Sequence, residues 1–361
     1  HIAYVRTTID EKTKEYRSQI WITSTCGTTK PRPFTSGPKM DNSPRWSPDG
    51  TKLAFVSDRG GDRQIWIMPT TGGEAYQLTK MRRGASNPVW SPDGTKICFT
   101  ALVDPDDDPE DIQKPMDDKA REEARKKKQE EPTLLSRIKV KADAAKGLIG
   151  NGRTHLFVQD VDGKQAAKQI TSGDFDHHHP AWSPDGKFIA FSANRQEEAD
   201  YDPWLVDIFV VPAEGGEPRK LTDTKGPSMA PVWTPDGKHI IYAGHKREFG
   251  AATLSRIWKV PVEGGEAVML TTGFDRAVGD SMAGDCRFGP SPSGPVVSPD
   301  GKTVYFLAND SGETALFSVP SEGGNVEKVL GGKRQIFGFT LDKAGNTFAL
   351  AVCTPSIPGE I

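Results

Sequence analysis

Short apolar runs recur along this chain, and each follows the same polar turn. Leu53–Val56 follows Trp46-Ser-Pro-Asp-Gly50, Ile97–Thr100 follows Trp90-Ser-Pro-Asp-Gly94, and Phe188–Phe191 follows Trp182-Ser-Pro-Asp-Gly186. Looser copies are Trp233-Thr-Pro-Asp-Gly237 and Val297-Ser-Pro-Asp-Gly301, and a decayed copy is Leu341-Asp-Lys-Ala-Gly345. Runs this short, rich in β-branched and aromatic residues and bounded by Pro, Asp and Gly, read as strands. Proline presets φ for the turn, Asp-Gly accepts left-handed backbone, and the hydroxyl before them closes a local turn. A second hairpin follows in each repeat: Ile65–Met68 leads through Thr71-Gly-Gly73 to Tyr76–Thr79, and Ile208–Val211 through Glu214-Gly-Gly216 to Arg219–Thr222. The runs at 257–270 and 316–329 repeat this arrangement. Four short strands, a to d, recurring at about 40–50 residues, describe a β-propeller blade.

The motifs, with half-repeats at both ends, predict an all-β, seven-bladed β-propeller of four-stranded antiparallel blades whose first and last blades are incomplete. The blades fall at 1–38, 43–80, 87–171, 179–222, 229–271, 296–330 and 336–361. The chain opens on His1–Val5 as the b strand of a blade and reaches Glu360-Ile361 where a c strand is expected to begin. Both ends therefore read as cut, and no signal peptide can be judged. A chain of 361 residues exceeds one ordinary core, but blades bury their faces against one another.

Insertions interrupt the pattern. Residues 103–150 hold an acidic stretch, Asp104–Asp111, and then a charge-dense run of helix formers, Asp117–Glu131, with pairs such as Glu122 and Lys126 at i,i+4. An exposed helix or loop is expected there, and Leu134–Val140 reads as a strand returning to the sheet. In antiparallel blades the b–c and d–a connections share one face. The long segments 103–150, 196–206, 244–255 and 273–295 all fall on it, whereas the a–b and c–d turns are short. Loops on a rigid scaffold carry function, so this face is the expected working surface.

Charge and chemistry narrow the picture further. A net charge of −3 argues against nucleic acid and offers no basic membrane patch. Cys26, Cys98, Cys286 and Cys353 are far apart, without metal-ligand spacing. Cys98 and Cys353 sit in apolar strands, as buried thiols do, which fits a reducing, cytoplasmic compartment. Asp176-His-His-His179 invites a metal, but successive side chains of extended backbone point to opposite faces, so the run chelates poorly. No metal or cofactor is expected. Gly279-Asp-Ser-Met-Ala283 approaches a nucleophile elbow but lacks its last glycine. Ser281 therefore reads as a loop serine, and His239 and His245 belong to another blade. The repeated tryptophans read as inter-blade packing. The carboxylates Glu197, Glu198, Asp200 and Asp202 are either solvated or hold a cation such as a peptide amino terminus.

The stretches Pro180-Ala-Trp-Ser-Pro-Asp-Gly-Lys-Phe-Ile-Ala-Phe191, Asp207-Ile-Phe-Val-Val-Pro212 and Lys220-Leu-Thr222 carry a resemblance. More specific are Arg153-Thr-His-Leu-Phe-Val158, Ile170-Thr-Ser-Gly-Asp-Phe-Asp176, Tyr4-Val-Arg-Thr7 and Tyr16-Arg-Ser-Gln-Ile-Trp21. Over essentially its whole length the chain resembles the propeller of prolyl oligopeptidase-family serine peptidases, most of all the acylaminoacyl-peptidase and dipeptidyl-peptidase-like branch. The resemblance implies a propeller capping an α/β-hydrolase domain that carries a Ser-Asp-His triad and would follow Ile361. It implies short peptides as substrates, with the propeller gating their entry. No catalytic residue carries over, so this chain alone is expected to be inactive. The candidates for substrate access or the domain interface are Arg153, Asp176, His177, Asp202, Trp204 and Phe249, with Arg153 and Asp202 pairing with peptide termini or with each other. Self-association is compatible with the sequence. The repeat also resembles TolB-type propellers, whose stand-alone interaction role is the rival reading.

Overall fold

The computed structural model describes residues 1–37, 39–130, 137–141, 148–197, 199–223, 225–282 and 294–361. Its recurring unit is the a–b turn. Ser47, Ser91, Ser183, Thr234 and Ser298 each donate a hydroxyl hydrogen bond of 2.5–2.6 Å to the aspartate two residues on. The same hydroxyls accept from the amides of Lys52, Lys96, Phe188, His239 and Thr303 at 2.9–3.1 Å. The glycine that completes each turn has φ of 70–74°, which a Cβ would oppose. These bonds hold each aspartate carboxyl below its usual range, with the hydroxyl as the leading cause. The motif is thus a turn that satisfies its own polar groups.

The strands it connects form antiparallel sheets. The first holds β1 (Ile2–Ile9), β2 (Tyr16–Thr23) and β3 (Arg32–Pro33). Next come β4 (Asp41–Trp46), β5 (Lys52–Ser57), β6 (Gln64–Pro69) and β7 (Tyr76–Gln77). The third sheet is β8 (Ala85–Trp90), β9 (Lys96–Val103), β10 (Arg153–Asp160) and β11 (Lys168–Gln169), with helix α1 (Asp118–Glu130) inserted between β9 and β10. The fourth is β12 (His177–Trp182), β13 (Phe188–Ala193), β14 (Asp207–Pro212) and β15 (Arg219–Lys220). The fifth is β16 (Ser228–Trp233), β17 (His239–Gly244), β18 (Arg256–Pro261) and β19 (Val268–Met269). The last begins with β20 (Val296–Val297), β21 (Thr303–Asp310), β22 (Glu313–Pro320) and β23 (Glu327–Leu330). A parallel bridge from Thr314 to Gln335 extends it to β24 (Gln335–Leu341), β25 (Phe348–Thr354) and β26 (Ile357–Glu360). The c strand expected to begin at residue 360 thus starts at Ile357, after a tight turn in which the Ile357 amide donates to Thr354 Oγ1 at 3.1 Å.

The core lies between sheets. One cluster joins Ala54, Ile65 and Ile67 to Ile97, Phe99 and Phe157. The next joins Leu156 and Val158 to Ile189 and Phe191. Each strand thus sends alternate side chains to the sheet before it and the sheet after it. The last cluster sets Leu307 and Leu316 against Ile336 and Phe339, within the seven-stranded sheet.

Two polar devices fix the sheets. Trp90 Nε1 donates to the Arg45 carbonyl, Trp182 Nε1 to that of Val89, and Trp233 Nε1 to that of Ala181, each at 3.0 Å. The acceptor is always the residue before the motif position of the preceding sheet. Within sheets, the hydroxyls of Thr35, Thr79, Thr171, Thr222 and Thr271 accept the amides of Ile20, Ile65, Leu156, Ile208 and Ile257 at 2.9–3.2 Å. The a strands β4, β8, β12 and β16 also share a bulge. Ser43, Asn87, His179 and Ala230 sit at φ of 52–53°, where the register to the neighbouring strand shifts.

Candidate functional site

The long connections meet at one end of the sheets, as the antiparallel order requires, and ion pairs join them. The segment after β9 is tied down: Arg83 Nε reaches Asp107 at 2.6 Å, Arg83 reaches Asp104 at 3.3 Å, and Arg82 reaches Asp107 at 3.3 Å. Gln113 brackets the backbone of Ala167 with two 2.8 Å bonds, and Arg121 reaches Asp62 at 2.6 Å. Of the exposed helix or loop expected over 117–131, the helix is present as α1, and the acidic stretch before it is anchored by these ion pairs. The strand expected at 134–140 is not seen at 137–140, and residues 134–136 lie outside the described residues.

Further along the insertion, Arg137 becomes a hub. Its Nε and Nη2 grip both oxygens of Asp200, at 2.7 and 2.5 Å. Its Nη1 donates to both oxygens of Asp174, at 2.9 and 3.0 Å. Arg153, at the start of β10, donates from Nε to Asp174 Oδ1 at 2.7 Å. Two residues beyond Asp200, Asp202 pairs with Arg247. One chain of charges therefore joins the loops of the third and fourth sheets, and a separate pair joins those of the fourth and fifth. Beside it lies a cavity of about 510 Å³ lined by Val103, Pro105, Arg137, Asn151, Arg153, His155, Gly173 and Asp174, a volume suited to a small ligand.

Of the six candidates, three adjoin this cavity wall. Arg153 lines it and is 7% exposed. Asp176 accepts the Thr154 amide at 2.8 Å, a backbone tie. His177 is fully buried, its Nδ1 3.1 Å from the Thr154 carbonyl and its ring 5.1 Å from that of His155. His177, a candidate for substrate access or the domain interface, has its side chain turned into the core at the start of β12. Desolvation is the main reason its pKa falls to about 3. Trp204 and Phe249 stand outside, 55% and 78% exposed. Arg153 and Asp202 do not pair with each other, since Asp174 and Arg247 take them instead.

The remaining candidates resolve simply. Ser281 Oγ donates to Asn309 Oδ1 at 2.5 Å, and an amide is no general base. Ala283 and Cys286 lie outside the described residues, as does Glu198. Cys98 is buried and Cys26 exposed, both as free thiols, and Cys353 is half-buried. Among the described residues no group of three or more side chains is placed to hold a metal. No described helix is long and apolar enough to cross a membrane. Asp174 was missed as the partner of Arg153, and Arg137 as the second arginine on Asp174, although Asp174 lies in the stretch 170–176 that stood out in the sequence.

Comparison with known proteins follows the whole length. The family described as "Acylaminoacyl-peptidase, N-terminal beta-propeller domain" matches residues 121–358, and "TolB beta propeller domain" matches residues 7–133. "Uncharacterized peptidase YuxL" of Bacillus subtilis (strain 168) is 34% identical over 362 residues, covering 99% of this chain and 52% of its own length. "Dipeptidyl-peptidase 5" of Porphyromonas gingivalis is 24% identical over 337 residues, covering 92% of this chain and 46% of its own length. The uncomplexed Pyrococcus horikoshii acylaminoacyl peptidase superposes with a TM-score of 0.70 at 19% identity, covering 99% of this chain and 48% of that one. The chain thus spans about half the length of these relatives.

Proposed function

Because this chain belongs to the acylaminoacyl-peptidase N-terminal β-propeller family, we propose that it is the propeller portion of a serine peptidase acting on short peptides. In this reading its loop-rich face meets an α/β-hydrolase domain and gates entry to the active site there. The observation that carries it is the union of long connections of the third and fourth sheets by the Arg153–Asp174–Arg137–Asp200 chain of charges, beside a cavity of peptide size. Seven blades follow if the seven-stranded sheet counts as two. Its own core cluster, between strands β20–β23 and β24–β26, supports that division, with the blade boundaries expected from the repeats. The fully buried Cys98 thiol supports a reducing, cytoplasmic setting. The six candidates then divide by reach. Arg153 belongs to the cavity, Asp202, Trp204 and Phe249 to the rim, and Asp176 and His177 to the support behind them.

Acyl transfer needs an activated nucleophile, a base within hydrogen-bond reach and donors for the oxyanion. Ser281 beside Asn309 offers no such set, so residues 1–361 alone are inactive. The test sets the purified chain beside the full-length parent, with acyl-blocked and free chromogenic peptides and a fluorophosphonate probe. Labelling and turnover are expected from the parent alone, at a serine outside 1–361, with rates falling as peptides lengthen. Turnover by the chain alone, with a labelled serine inside it, overturns the reading. A parent without a fluorophosphonate-reactive serine favours the TolB-like interaction module, which the match over residues 7–133 also suits.

A further inference from the structure

Arg153 presents a guanidinium with half of one binding edge unfilled. Its Nε donates to Asp174 Oδ1 at 2.7 Å and its Nη1 to the Gly152 carbonyl at 3.1 Å. Its Nη2 is buried and has no hydrogen-bond partner among the described residues. Nε and Nη2 lie on one edge of the planar group, the edge that matches the two oxygens of a carboxylate. Asp174 supplies only one oxygen to that edge, and Arg137 Nη1 holds both of its oxygens at 2.9 and 3.0 Å. Arg137 is itself satisfied by Asp200. A buried, unpartnered donor on an arginine needs an explanation, since leaving it so costs stability. The cavity wall beside it carries two guanidinium groups against one carboxylate. It adds Asn151 and His155, the latter kept neutral mainly by burial, and the apolar Val103 and Pro105.

We propose that this cavity binds the carboxylate of a short peptide, whether at its C-terminus or on an acidic side chain. The proposal rests on the peptidase-propeller reading and adds the chemistry that the propeller recognises. Asp174, whose side chain is 74% exposed, swings out toward water, and the incoming carboxylate closes both positions of the Arg153 edge. An amide in its place has one oxygen and no charge, so it fills only half of that edge. Binding by the 1–361 chain is measured by calorimetry with three probes: N-acetyl-Ala-Ala as the free acid, its C-terminal amide, and N-acetyl-Ala-Glu amide. At least one of the two acids should bind about tenfold more tightly than the C-terminal amide, and which one does identifies the source. Arg153→Gln should abolish the preference. Asp174→Asn, which removes the competing carboxylate, should tighten acid binding several-fold at low salt, a gain that a purely structural role for Asp174 does not produce. Thermal melts of both variants check the fold, and Asp174→Asn keeps the test decisive if Arg153→Gln unfolds. Equal binding of acids and amide, or weaker acid binding by folded Asp174→Asn, overturns the proposal. Either result leaves the peptidase reading to its own test, which uses the parent's activity.

Discussion

The indole of Trp182 packs between the third and fourth sheets, and its one polar atom finds the Val89 carbonyl. Trp182→Phe keeps a ring in place but leaves that carbonyl without its donor, at a cost of about 1–3 kcal/mol. The urea midpoint should fall with the slope unchanged. Trp46→Phe should cost less, because Trp46 faces the three-stranded sheet, which has no a strand to supply such a carbonyl. His177 gives a second prediction. Its folded pKa of about 3 lies below the unfolded value near 6.5, so between these values the unfolded chain binds the extra proton. Its stabilising effect is complete above about pH 6.5 and declines as pH falls toward about 3. The Tm of the chain should therefore drop more between pH 7 and pH 5 than that of His177→Gln; equal slopes would exclude the histidine. The fixed position of the tryptophans marked them as packing residues in the sequence. The acceptor of each indole was not visible there, because it belongs to another repeat. Three consecutive histidines likewise look polar throughout, and only the facing of β12 shows which one is buried.

The strands themselves were legible wherever a turn motif fixed both their ends. The strands read within 296–330 are β20 to β23, and the charged run read at 117–131 as helix or loop holds α1 at 118–130. The bulge in the a strands β4, β8, β12 and β16 was not legible, since Ser43, Asn87, His179 and Ala230 share a backbone conformation but no side-chain type. Left-handed backbone costs a residue with a Cβ about 1–2 kcal/mol. Ala230→Gly should therefore raise stability by about 0.5–1 kcal/mol after the entropy of the unfolded glycine is deducted. A lower denaturation midpoint would mean that the methyl group packs more than it strains. Gly294 marks how close this strand runs to its neighbour, since a Cβ there would stand 2.6 Å from that of Ala230.

The arrangement of sheets as a stack with shared cores follows from the repeat, and the sequence showed it. The pairing on the loop face did not, because Arg153 with Asp174 and Asp202 with Arg247 depend on how loops from different sheets cross, and no period records that. Trp204 and Phe249 are the most openly displayed of the candidate residues. On the peptidase reading, alanine at either in the full-length parent should change KM for peptides about two- to tenfold while Tm stays within a degree or two, since exposed positions contribute little to stability. Unchanged kinetics there, with strong effects from the opposite turns, would reverse the assignment of the working face.

Each indole-to-carbonyl bond lies at the turn end of its strand, and the insertions lie at the other end. The angle between successive sheets is thus referenced far from the surface where their loops differ. A loop can lengthen, shorten or be exchanged without altering the pitch of the stack, which gives this face evolutionary latitude and makes it a natural site for grafting. The converse is a directional sensitivity. A disturbance at Trp90 or Trp182 re-aims every sheet that follows it, so variants far from the cavity should misalign it while leaving its lining intact.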